Sequence, residues 1–394
     1  MSYLTCGNHK INLDIILHKK KYISHMLIGV PKEIKNNEFR IGLTPKSTQV
    51  LTQQNHEVHV EKSAGLGSGF TDEDYLNAGA KIIEKSQDLF SNCELIIKVK
   101  EPQTIETQQL QPNQILFTYL HLASSQKLTQ ELIDSKCISI AYETITSDTQ
   151  GLPLLTPMSE VAGRLSIQAG ARCLEKNQGG LGILLSGSSY SNPAQTLIIG
   201  GGVVGYNAAL IANGMQSKIT ILEKSDKRIE VLKKEFPKAE ILNIDQTNLE
   251  RIISRFDLVI GAVLIPGSQA PKILQKKHLG LMKSGSVVVD VAIDQGGCFE
   301  TSRATTHENP TYIVDDVIHY CVANMPGAVP RTSTISLNTA TLPYIKSIAN
   351  NGLSEFLKSS NHHLNGLNTF RGHLTYKPVA ELYDIPFMDP KDLV

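Results

Sequence analysis

The sequence predicts an α/β protein with two domains, each built around a mostly parallel sheet. Three observations lead to this prediction. The chain has 394 residues, which is more than one typical domain contains. Short apolar segments alternate with segments of helical periodicity, a pattern typical of repeated βαβ units. A glycine cluster at residues 200–205 follows one apolar segment and begins a second series of the same alternation.

The first series begins at Met26. Its predicted strands are, in order, MLIGV, HEVHVE, CELIIKVK, QILFTYL and ISIAYET. Its predicted helices are TPKSTQVLTQQN, TDEDYLNAGA and LTQELIDS. The first two begin with threonine followed by proline or by acidic residues, which is typical of a helix N-terminus. A longer helix, LTPMSEVAGRLSIQAGARCLEKN, follows, and we expect the chain to cross between the domains near it.

The second series contains the predicted strands TLII, SKITILE, DLVIGAVL, SGSVVVDVA and YIVDD. After CVANMPGAVPRTST we predict a mainly helical tail, which includes TLPYIKSIANNGLSEFL and packs on the first domain. Residues 1–25 contain a lysine cluster and no strong periodicity. We interpret them as an N-terminal extension that is disordered, or as a start placed upstream of the true one at Met26.

The composition excludes several classes of function. Lysine plus arginine equals aspartate plus glutamate, at 38 each, which gives no electrostatic reason to expect nucleic-acid or membrane-surface binding. The six cysteines are scattered and form no CxxC pair, which favours a reducing compartment and no metal centre. No apolar run reaches the ~18 residues of a membrane span. The sequence also lacks a secretory signal pattern, so we predict a cytoplasmic protein.

The glycine cluster matches the dinucleotide-binding pattern GxGxxG at Gly200, Gly202 and Gly205. The first glycine permits a tight turn, the second lets the backbone approach a diphosphate, and the third lets the helix pack on the strand. The next strand ends at Glu223, about 20 residues on, where an acid binds the ribose hydroxyls. An acid there also repels a 2′-phosphate, which favours NAD over NADP. The alternative is a glycine-rich turn that binds no ligand.

Four polar residues lie next to predicted strand or helix ends, where ligands bind in open α/β sheets. Arg40 precedes a helix, whereas Lys100, His121 and Asp294 follow strands. An arginine fork takes a carboxylate in bidentate fashion, and a lysine holds a carboxylate or polarises a carbonyl. A histidine acts as a general acid or base. Each residue also has an ordinary interpretation, as a surface arginine, a solvated lysine, a hydrogen-bonded histidine and a turn aspartate.

Together these segments resemble the alanine dehydrogenase family. The resemblance extends from about Met26 to near the C-terminus, and many long motifs occur in the same order. These motifs are GVPKEIKNNEFRIGLTP, IKVKEP, ILFTYLHLA, AYETI, LPLLTPMSEVAGRLSIQAGA, IIGGGVVGYNAALIANGM, DLVIGAVLIPGSQAPK, VVVDVAIDQGGCFE and HYCVANMPGAVPRTST.

The resemblance implies two Rossmann-like domains, with an NAD-binding domain inserted into a discontinuous catalytic domain. The implied boundaries are 26–153 and 332–394 for the catalytic domain and 154–331 for the NAD domain. It also implies a cytoplasmic homohexamer that interconverts L-alanine and NAD with pyruvate, ammonium and NADH in L-alanine catabolism. It gives no reason to expect a metal.

The resemblance also implies roles for individual residues. Arg40 and Lys100 bind the substrate, and His121 and Asp294 are catalytic. The implied cofactor contacts are Ser159, Gly200, Gly202, Val203, Val204, Gly205, Glu223, Arg228, Val263, Leu264, Ile293, Asp294 and Asn324. This chain departs from the family in three places. Glu223 stands where members often carry aspartate, SGSSYSNPAQ is poorer in glycine, and residues 1–25 have no counterpart.

Three other classes of function compete with this interpretation. An NAD-binding subunit of a proton-translocating transhydrogenase shares the fold but generally lacks the equivalents of His121 and Asp294. A lactate-type 2-oxoacid reductase needs no ammonium. A catalytically silent NAD-binding module needs none of the four polar residues, so the presence of all four argues against it.

Overall fold

The computed structural model describes residues 3–6, 9–12, 25–263 and 270–393. Most of the predicted N-terminal extension and the predicted cofactor contact Leu264 lie outside the described residues. Within the extension, Tyr3–Cys6 and His9–Asn12 pair as antiparallel strands. The remaining strands form one sheet of eight and one of seven, both mainly parallel. The predicted α/β fold with two Rossmann-like halves is therefore confirmed.

The strands are β1 Tyr3–Cys6, β2 His9–Asn12, β3 Leu27–Val30, β4 Glu57–Glu61, β5 Lys81–Ile83, β6 Leu95–Ile97, β7 Ile115–Thr118, β8 Ile138–Ala141, β9 Gln195–Ile199, β10 Lys218–Glu223, β11 Glu240–Asn243, β12 Leu258–Gly261, β13 Val287–Asp290, β14 Thr311–Val314, β15 Val317–Tyr320, β16 Leu367–Phe370 and β17 His373–Leu374. The α-helices are α1 Pro45–Thr52, α2 Asp72–Asn77, α3 Ser86–Asn92, α4 Thr104–Thr107, α5 Gln126–Ser135, α6 Thr156–Cys173, α7 Val203–Gly214, α8 Asp226–Glu235, α9 Leu249–Ile252, α10 Lys276–Leu279, α11 Pro330–Asn351, α12 Leu353–Lys358, α13 Asn361–Leu364 and α14 Lys377–Tyr383.

The eight-stranded sheet joins the two ends of the chain. Its order is β17-β16-β8-β7-β6-β3-β4-β5, and β16 pairs antiparallel with β8. Its parallel strands β6, β7 and β8 are buried on both faces. Along β6, for example, Leu95 and Ile97 point into one core and Ile96 into the other. Such strands carry continuous apolar runs, which is why the pattern of CELIIKVK predicts a strand correctly.

The seven-stranded sheet has the order β11-β10-β9-β12-β13-β15-β14. The chain proceeds from β9 to β10 on one side and later places β12 on the other side of β9. The strand order therefore reverses between β9 and β12. Open α/β sheets bind ligands in the crevice at such a reversal, outside the carboxyl ends of the strands. The glycine cluster lies at this position, directly after β9.

Helix α6 connects the two halves of the molecule. Its first turns contribute Met158 and Val161 to the core of the eight-stranded sheet. Its later turns contribute Leu165 and Ile167 to the core of the seven-stranded sheet. The helix also packs very closely on α7, where a side chain at Gly163 would come within 2.2 Å of a backbone oxygen. One helix thus holds the nucleotide half against the other.

The predicted helix starts are confirmed where a capping residue is present. The hydroxyl of Thr44 accepts a hydrogen bond from the backbone N–H of Ser47 at the start of α1. Thr71 and Asp74 form a reciprocal capping box at the start of α2. Each such cap stabilises a helix by about 0.5–2 kcal/mol, because it satisfies an N–H that has no partner within the helix.

The prediction of a mainly helical tail is wrong in two respects. Helix α11 already begins at Pro330, inside the segment that we placed before the tail. The tail also contains β16 and β17, which extend the eight-stranded sheet. The sequence pattern likewise missed β5, β11 and β15. Each of these five strands has at most 4 residues and contains no more than two consecutive apolar residues, which gives no clear strand signal.

Candidate active site

The glycine cluster forms the turn between β9 and α7. Gly200 has a φ of 99°, a left-handed conformation that favours glycine. A Cβ on Gly205 would lie 1.8 Å from the carbonyl oxygen of Gly200, so a side chain there would force the helix off the strand. A Cβ on Gly202, in contrast, would meet no atom within 4 Å. Gly202 therefore faces open space, as expected for a backbone position that receives a diphosphate.

A cavity of about 830 Å³ lies in front of this turn. Its volume falls within the ~300–1,000 Å³ typical of cofactor sites, and its walls are mainly apolar. Among the predicted cofactor contacts, it is lined by Ser159, Gly200, Gly202, Val203, Val204, Glu223 and Val263. The predicted contacts that do not line it are Gly205, Arg228, Ile293, Asp294 and Asn324. The cavity lies where the strand order of the sheet reverses, and its volume suits an extended nucleotide.

Glu223 closes one side of the cavity. Its carboxylate accepts hydrogen bonds from the backbone N–H groups of Gly201, Lys224 and Ser225, at 2.7, 2.8 and 2.9 Å. Arg228 lies next to it and donates from Nε to the carbonyl oxygen of Gly201 at 2.7 Å. The acid is thus fixed against the glycine turn, where ribose hydroxyls are expected. The cavity is also lined by Asp245, which the sequence analysis missed and which follows β11 at the same sheet edge.

Lys100 follows β6, and a buried carboxylate fixes the backbone at this position. The carboxylate of Glu33 accepts the N–H of Val99 at 2.6 Å and lies 3.4 Å from the N–H of Lys100. Lys98 fixes Glu33 through a buried ion pair of 3.0 Å. The Lys100 side chain is buried, and burial lowers the pKa of its ammonium group. No described side chain hydrogen-bonds to that ammonium, so it is available to a substrate anion.

Arg40 is buried, with 2 % of its surface exposed, and forms a bidentate pair with Glu38. Nε donates to one Glu38 oxygen at 2.7 Å and Nη2 to the other at 2.5 Å. Nη2 also donates to Asn324 Oδ1 at 2.7 Å, and Nη1 donates to the sulfur of Met158 at 3.1 Å. Only one N–H, on Nη1, lacks a partner among the described residues. In this conformation Glu38 occupies the fork of Arg40, and the substrate-binding role of Arg40 stays a prediction.

The Glu38 carboxylate is strongly stabilised in its charged form. Burial by itself would raise the pKa of Glu38, but the hydrogen bonds and charge of Arg40 outweigh burial and lower it to about 2. Asn324 Nδ2 also donates to this carboxylate, at 2.9 Å. Glu38 and Arg40 are therefore both charged at neutral pH, and their opposite charges cancel. Sequence analysis did not select Glu38, although it lies two residues before Arg40 in the NNEFR motif.

His121 has a φ of 49°, which is uncommon for a residue other than glycine. The carboxylate of Glu143 holds this conformation, since it accepts the backbone N–H groups of His121 at 2.6 Å and Leu120 at 3.0 Å. The ring stacks at 5.8 Å on Tyr119. Neither ring nitrogen bonds to a described residue. The imidazole is therefore held in one place, with both nitrogens available.

The pKa of His121 is affected by several charged residues that lie near its ring. Burial lowers the pKa of His121, and the positive charge of Lys100 lowers it further. The negative charge of Glu143 raises it, and the more weakly acting charges of Glu101 and Asp294 also raise it. Lys100 in turn is affected by the charges of Asp294 and Arg40. Because burial prevails, the imidazole is neutral at neutral pH and its free nitrogen can accept a proton.

Asp294 lies in the 3₁₀ turn Val291–Gln295 that follows β13. Its carboxylate accepts the backbone N–H of Asn324 at 3.2 Å. The side chain of the same asparagine binds Glu38 and Arg40, so Asn324 joins the two halves of the site. Asn324 was predicted as a cofactor contact. In this structure its amide is instead occupied by the buried ion pair.

The four predicted substrate and catalytic residues therefore lie close together, although they come from four separate segments. They adjoin the large cavity rather than line it. Met158, whose sulfur contacts Arg40, directly precedes Ser159, which lines the cavity. Of the other predicted contacts, Ile293 is buried beside Asp294. Neither a metal-binding group of three or more His, Cys, Asp or Glu nor a helix able to span a membrane occurs in the described part of the chain.

Comparison with known families agrees with this geometry. The model of the alanine dehydrogenase/PNT N-terminal domain matches residues 29–162, and that of the C-terminal domain matches residues 166–377. The chain belongs to the alanine dehydrogenase family. This family and the Rossmann-like fold imply a nicotinamide nucleotide as the cofactor.

Individual relatives give the same result. The chain is 50% identical over 370 residues to an alanine dehydrogenase of Halomonas elongata, covering 94% of this chain and 100% of that protein. A solved L-alanine dehydrogenase superposes with a TM-score of 0.87 at 45% identity, covering 91% of this chain and 99% of that one. A transhydrogenase from Sinorhizobium meliloti superposes with a TM-score of 0.78 at 20% identity, covering 89% of this chain and 100% of that one. At that identity the transhydrogenase shares the fold alone.

Proposed function

We propose that this chain is an oxidoreductase that carries out the NAD-dependent oxidative deamination of L-alanine. L-Alanine, NAD and water give pyruvate, ammonium, NADH and a proton, reversibly. The observation that carries the proposal is the pairing of two free groups beside the nucleotide cavity. The Lys100 ammonium and the His121 imidazole have no hydrogen-bond partner among the described side chains, and the charge of Asp294 acts on both.

The substrate carboxylate binds to Lys100 and to the one free N–H of Arg40. Because Glu38 neutralises Arg40, the attraction for the anion comes mainly from Lys100. The charge of Lys100 also polarises the carbonyl oxygen of pyruvate. We assign to the Asp294 carboxylate the stabilisation of positive charge on the substrate nitrogen. These contacts suit a 2-amino or 2-oxo acid.

Bound NAD would supply the hydride acceptor. The substrate ammonium first loses a proton to solvent, so that loss of hydride from Cα would leave an iminium on the substrate. Neutral His121 then takes a proton from the water molecule that adds to the iminium carbon. It returns this proton to the nitrogen of the carbinolamine. The C–N bond then breaks, and ammonia takes the hydroxyl proton and leaves as ammonium while the carbonyl of pyruvate forms. His121 thus serves first as a general base and then as a general acid. Closure of the cleft between the two sheets excludes other water.

The cofactor that we propose is NAD rather than NADP. The fit rests on the open space at Gly202 and on the fixed carboxylate of Glu223, which accepts three backbone N–H groups at the edge of the cavity. We assign the diphosphate to the turn Gly200–Gly205 and the ribose hydroxyls to Glu223. Ser159 and Val263 complete the binding surface, with Arg228 next to Glu223.

Replacing Glu223 by serine is expected to raise the ratio of kcat/KM for NADPH to kcat/KM for NADH by tenfold or more. Removing a carboxylate from beside a 2′-phosphate removes a repulsion of roughly 1.4 kcal/mol or more, which corresponds to a factor of ten. The measurement is initial-rate kinetics with each nucleotide. Glu223→Asp is the matched control, because it keeps the charge and should keep the preference for NADH. If Glu223→Ser still excludes NADPH as strongly as the wild type, Glu223 does not determine the choice of cofactor.

We also propose the larger organisation of the enzyme. Residues 26–153 and 332–394 form the catalytic domain, and residues 154–331 form the NAD domain. The sharing of one sheet by β8 and β16 supports the discontinuous catalytic domain. The proposal includes a homohexamer in the cytoplasm, with no nucleic-acid or membrane partner.

The function is tested by mixing the purified chain with NADH and pyruvate and following the loss of nicotinamide absorbance, with and without ammonium. We expect absorbance loss that requires ammonium and leaves alanine as the product. Loss without ammonium would place the enzyme among the 2-oxoacid reductases. If NADH binds but the nicotinamide absorbance does not fall under either condition, the transhydrogenase-like or the silent-module alternative is favoured.

A further inference from the structure

Asp290 is a buried carboxylate to which the mechanism above gives no role. It ends strand β13, four residues before Asp294, and none of its surface is exposed. The strand residues before it, Val287–Val289, are apolar and equally buried. No described cation pairs with Asp290. A carboxylate in such surroundings is costly unless hydrogen bonds compensate for its lost hydration.

Four donors surround the Asp290 carboxylate. Oδ1 accepts from the N–H of Ala292 at 3.0 Å and from the thiol of Cys298 at 3.5 Å. Oδ2 accepts from the N–H of Phe299 at 3.2 Å and from the hydroxyl of Ser302 at 2.5 Å. All four donors belong to residues 291–302, the loop that follows the strand. The carboxylate therefore binds both the start and the end of this loop.

Asp294 lies within the loop 291–302, between the two ends that Asp290 binds. The loop turns back through Gly296 and Gly297, whose φ angles are 85° and 77°. A Cβ on Gly297 would come within 2.6 Å of Asp290 Oδ2, so the backbone passes directly over the carboxylate. Lys272 binds the outer side of the same turn, donating to the carbonyl oxygens of Gly296 at 2.5 Å and Gly297 at 2.8 Å. The position of Asp294 thus depends on a loop that wraps around Asp290.

We propose that Asp290 is a positioning residue, which binds both ends of the loop 291–302 and thereby holds Asp294 at the substrate. An apolar side chain would fill the same space at lower desolvation cost, but it would bind none of the four donors. This inference rests on the proposed role of Asp294 in the reaction. Asp290 itself does not touch the substrate.

The test compares Asp290→Asn with Asp257→Asn. Asp257 is a matched control, because it is also a buried aspartate of the same sheet, bound to the N–H of Gln195 at 2.8 Å and to Lys283 at 2.7 Å. It precedes β12, at the opposite end of the strands from Asp294. For each variant we would measure kcat, the KM for pyruvate, the dissociation constant of NADH by fluorescence, and hydrogen exchange of the peptide 291–302 by mass spectrometry.

Asp290→Asn is expected to lower kcat by about 10- to 100-fold, the effect of misplacing a catalytic group by about 1 Å. The KM for pyruvate and the NADH dissociation constant should change by less than about threefold, because Lys100 and the glycine turn are untouched. Exchange in 291–302 should become faster. Asp257→Asn should keep kcat within twofold of the wild type and leave this peptide protected. Ser302→Ala removes one of the four bonds and should show a smaller version of the Asp290→Asn effect.

Two outcomes would overturn the inference. The first is a wild-type kcat in Asp290→Asn although exchange in the loop is faster. The second is an equal loss of kcat in Asp257→Asn, which would reduce the effect to general destabilisation. If Asp290→Asn does not fold, Ser302→Ala decides by the same criteria. Failure of the proposed function would appear separately, as wild-type protein without ammonium-dependent turnover or as Asp294→Asn with full turnover.

Discussion

Replacing His121 by asparagine is expected to lower kcat by about 10²- to 10⁴-fold, the usual contribution of a general acid and base. Asparagine tolerates the left-handed φ of 49° better than most residues, so the backbone N–H groups should stay on Glu143. The amide does not titrate and cannot carry the proton between water and the leaving ammonia. Steady-state kinetics of alanine oxidation and pyruvate amination measure the loss.

His121→Ala controls for the backbone, because alanine lacks the imidazole and also disfavours the left-handed conformation. It should lose at least as much turnover as His121→Asn and also some thermal stability. NADH binding should be unchanged in both variants. If His121→Asn turns over at a rate near that of the wild type, then His121 has no acid–base role and another group must activate the water.

The pH profile of the wild type gives an independent check of His121. Burial lowers its pKa, so the neutral form that accepts a proton persists below the usual titration range near pH 6.5. Activity should therefore be lost as the pH falls through this lowered pKa, and the acidic limb of kcat/KM for alanine should have its midpoint below about pH 6.5. His121→Asn should lack this limb. A wild-type midpoint above pH 7 would contradict the assignment.

Replacing Arg40 by alanine is expected to have two large effects at once. The Glu38 carboxylate would remain buried without its cation, which costs about 3–5 kcal/mol of unfolding free energy. The substrate carboxylate would also lose its Nη1 donor, and Asn324 would lose one of its two partners in the ion pair. The KM for pyruvate should rise by at least tenfold. Denaturant unfolding and initial-rate kinetics measure the two effects.

A double variant separates the two effects of Arg40. Glu38→Gln combined with Arg40→Met removes both charges and keeps similar volumes, so most of the lost stability should return. Binding of pyruvate should not return, because no donor replaces Nη1. A double variant with wild-type KM would show that Arg40 only supports the structure. Arg40→Ala with wild-type stability would show instead that the Glu38 pair has little energetic importance.

Much of the fold could be predicted from the sequence, because most of the patterns that predict strands and helices involve neighbouring residues only. The apolar runs of β3, β6, β9 and β13 and the cap at Thr44 are features of neighbouring residues. The glycine turn is also local, since Gly200 has a φ of 99° and Gly205 packs against the carbonyl oxygen of Gly200. Strand β16 was missed because its partner, β8, lies far away in the sequence, and β17 joins the sheet only through β16.

The sequence by itself determined two α/β halves, a nucleotide turn at Gly200–Gly205, and four polar residues at strand or helix ends. Only the tertiary structure decided how those residues are held and what remains free on them. Arg40 donates to Asn324 across 284 positions and to Met158 across 118, and these bonds, with the Glu38 pair, leave Arg40 a single free N–H among the described residues. Glu143 binds the His121 backbone across 22 positions. Such contacts depend on which strand ends meet at one sheet edge, and no local pattern of residues encodes that meeting.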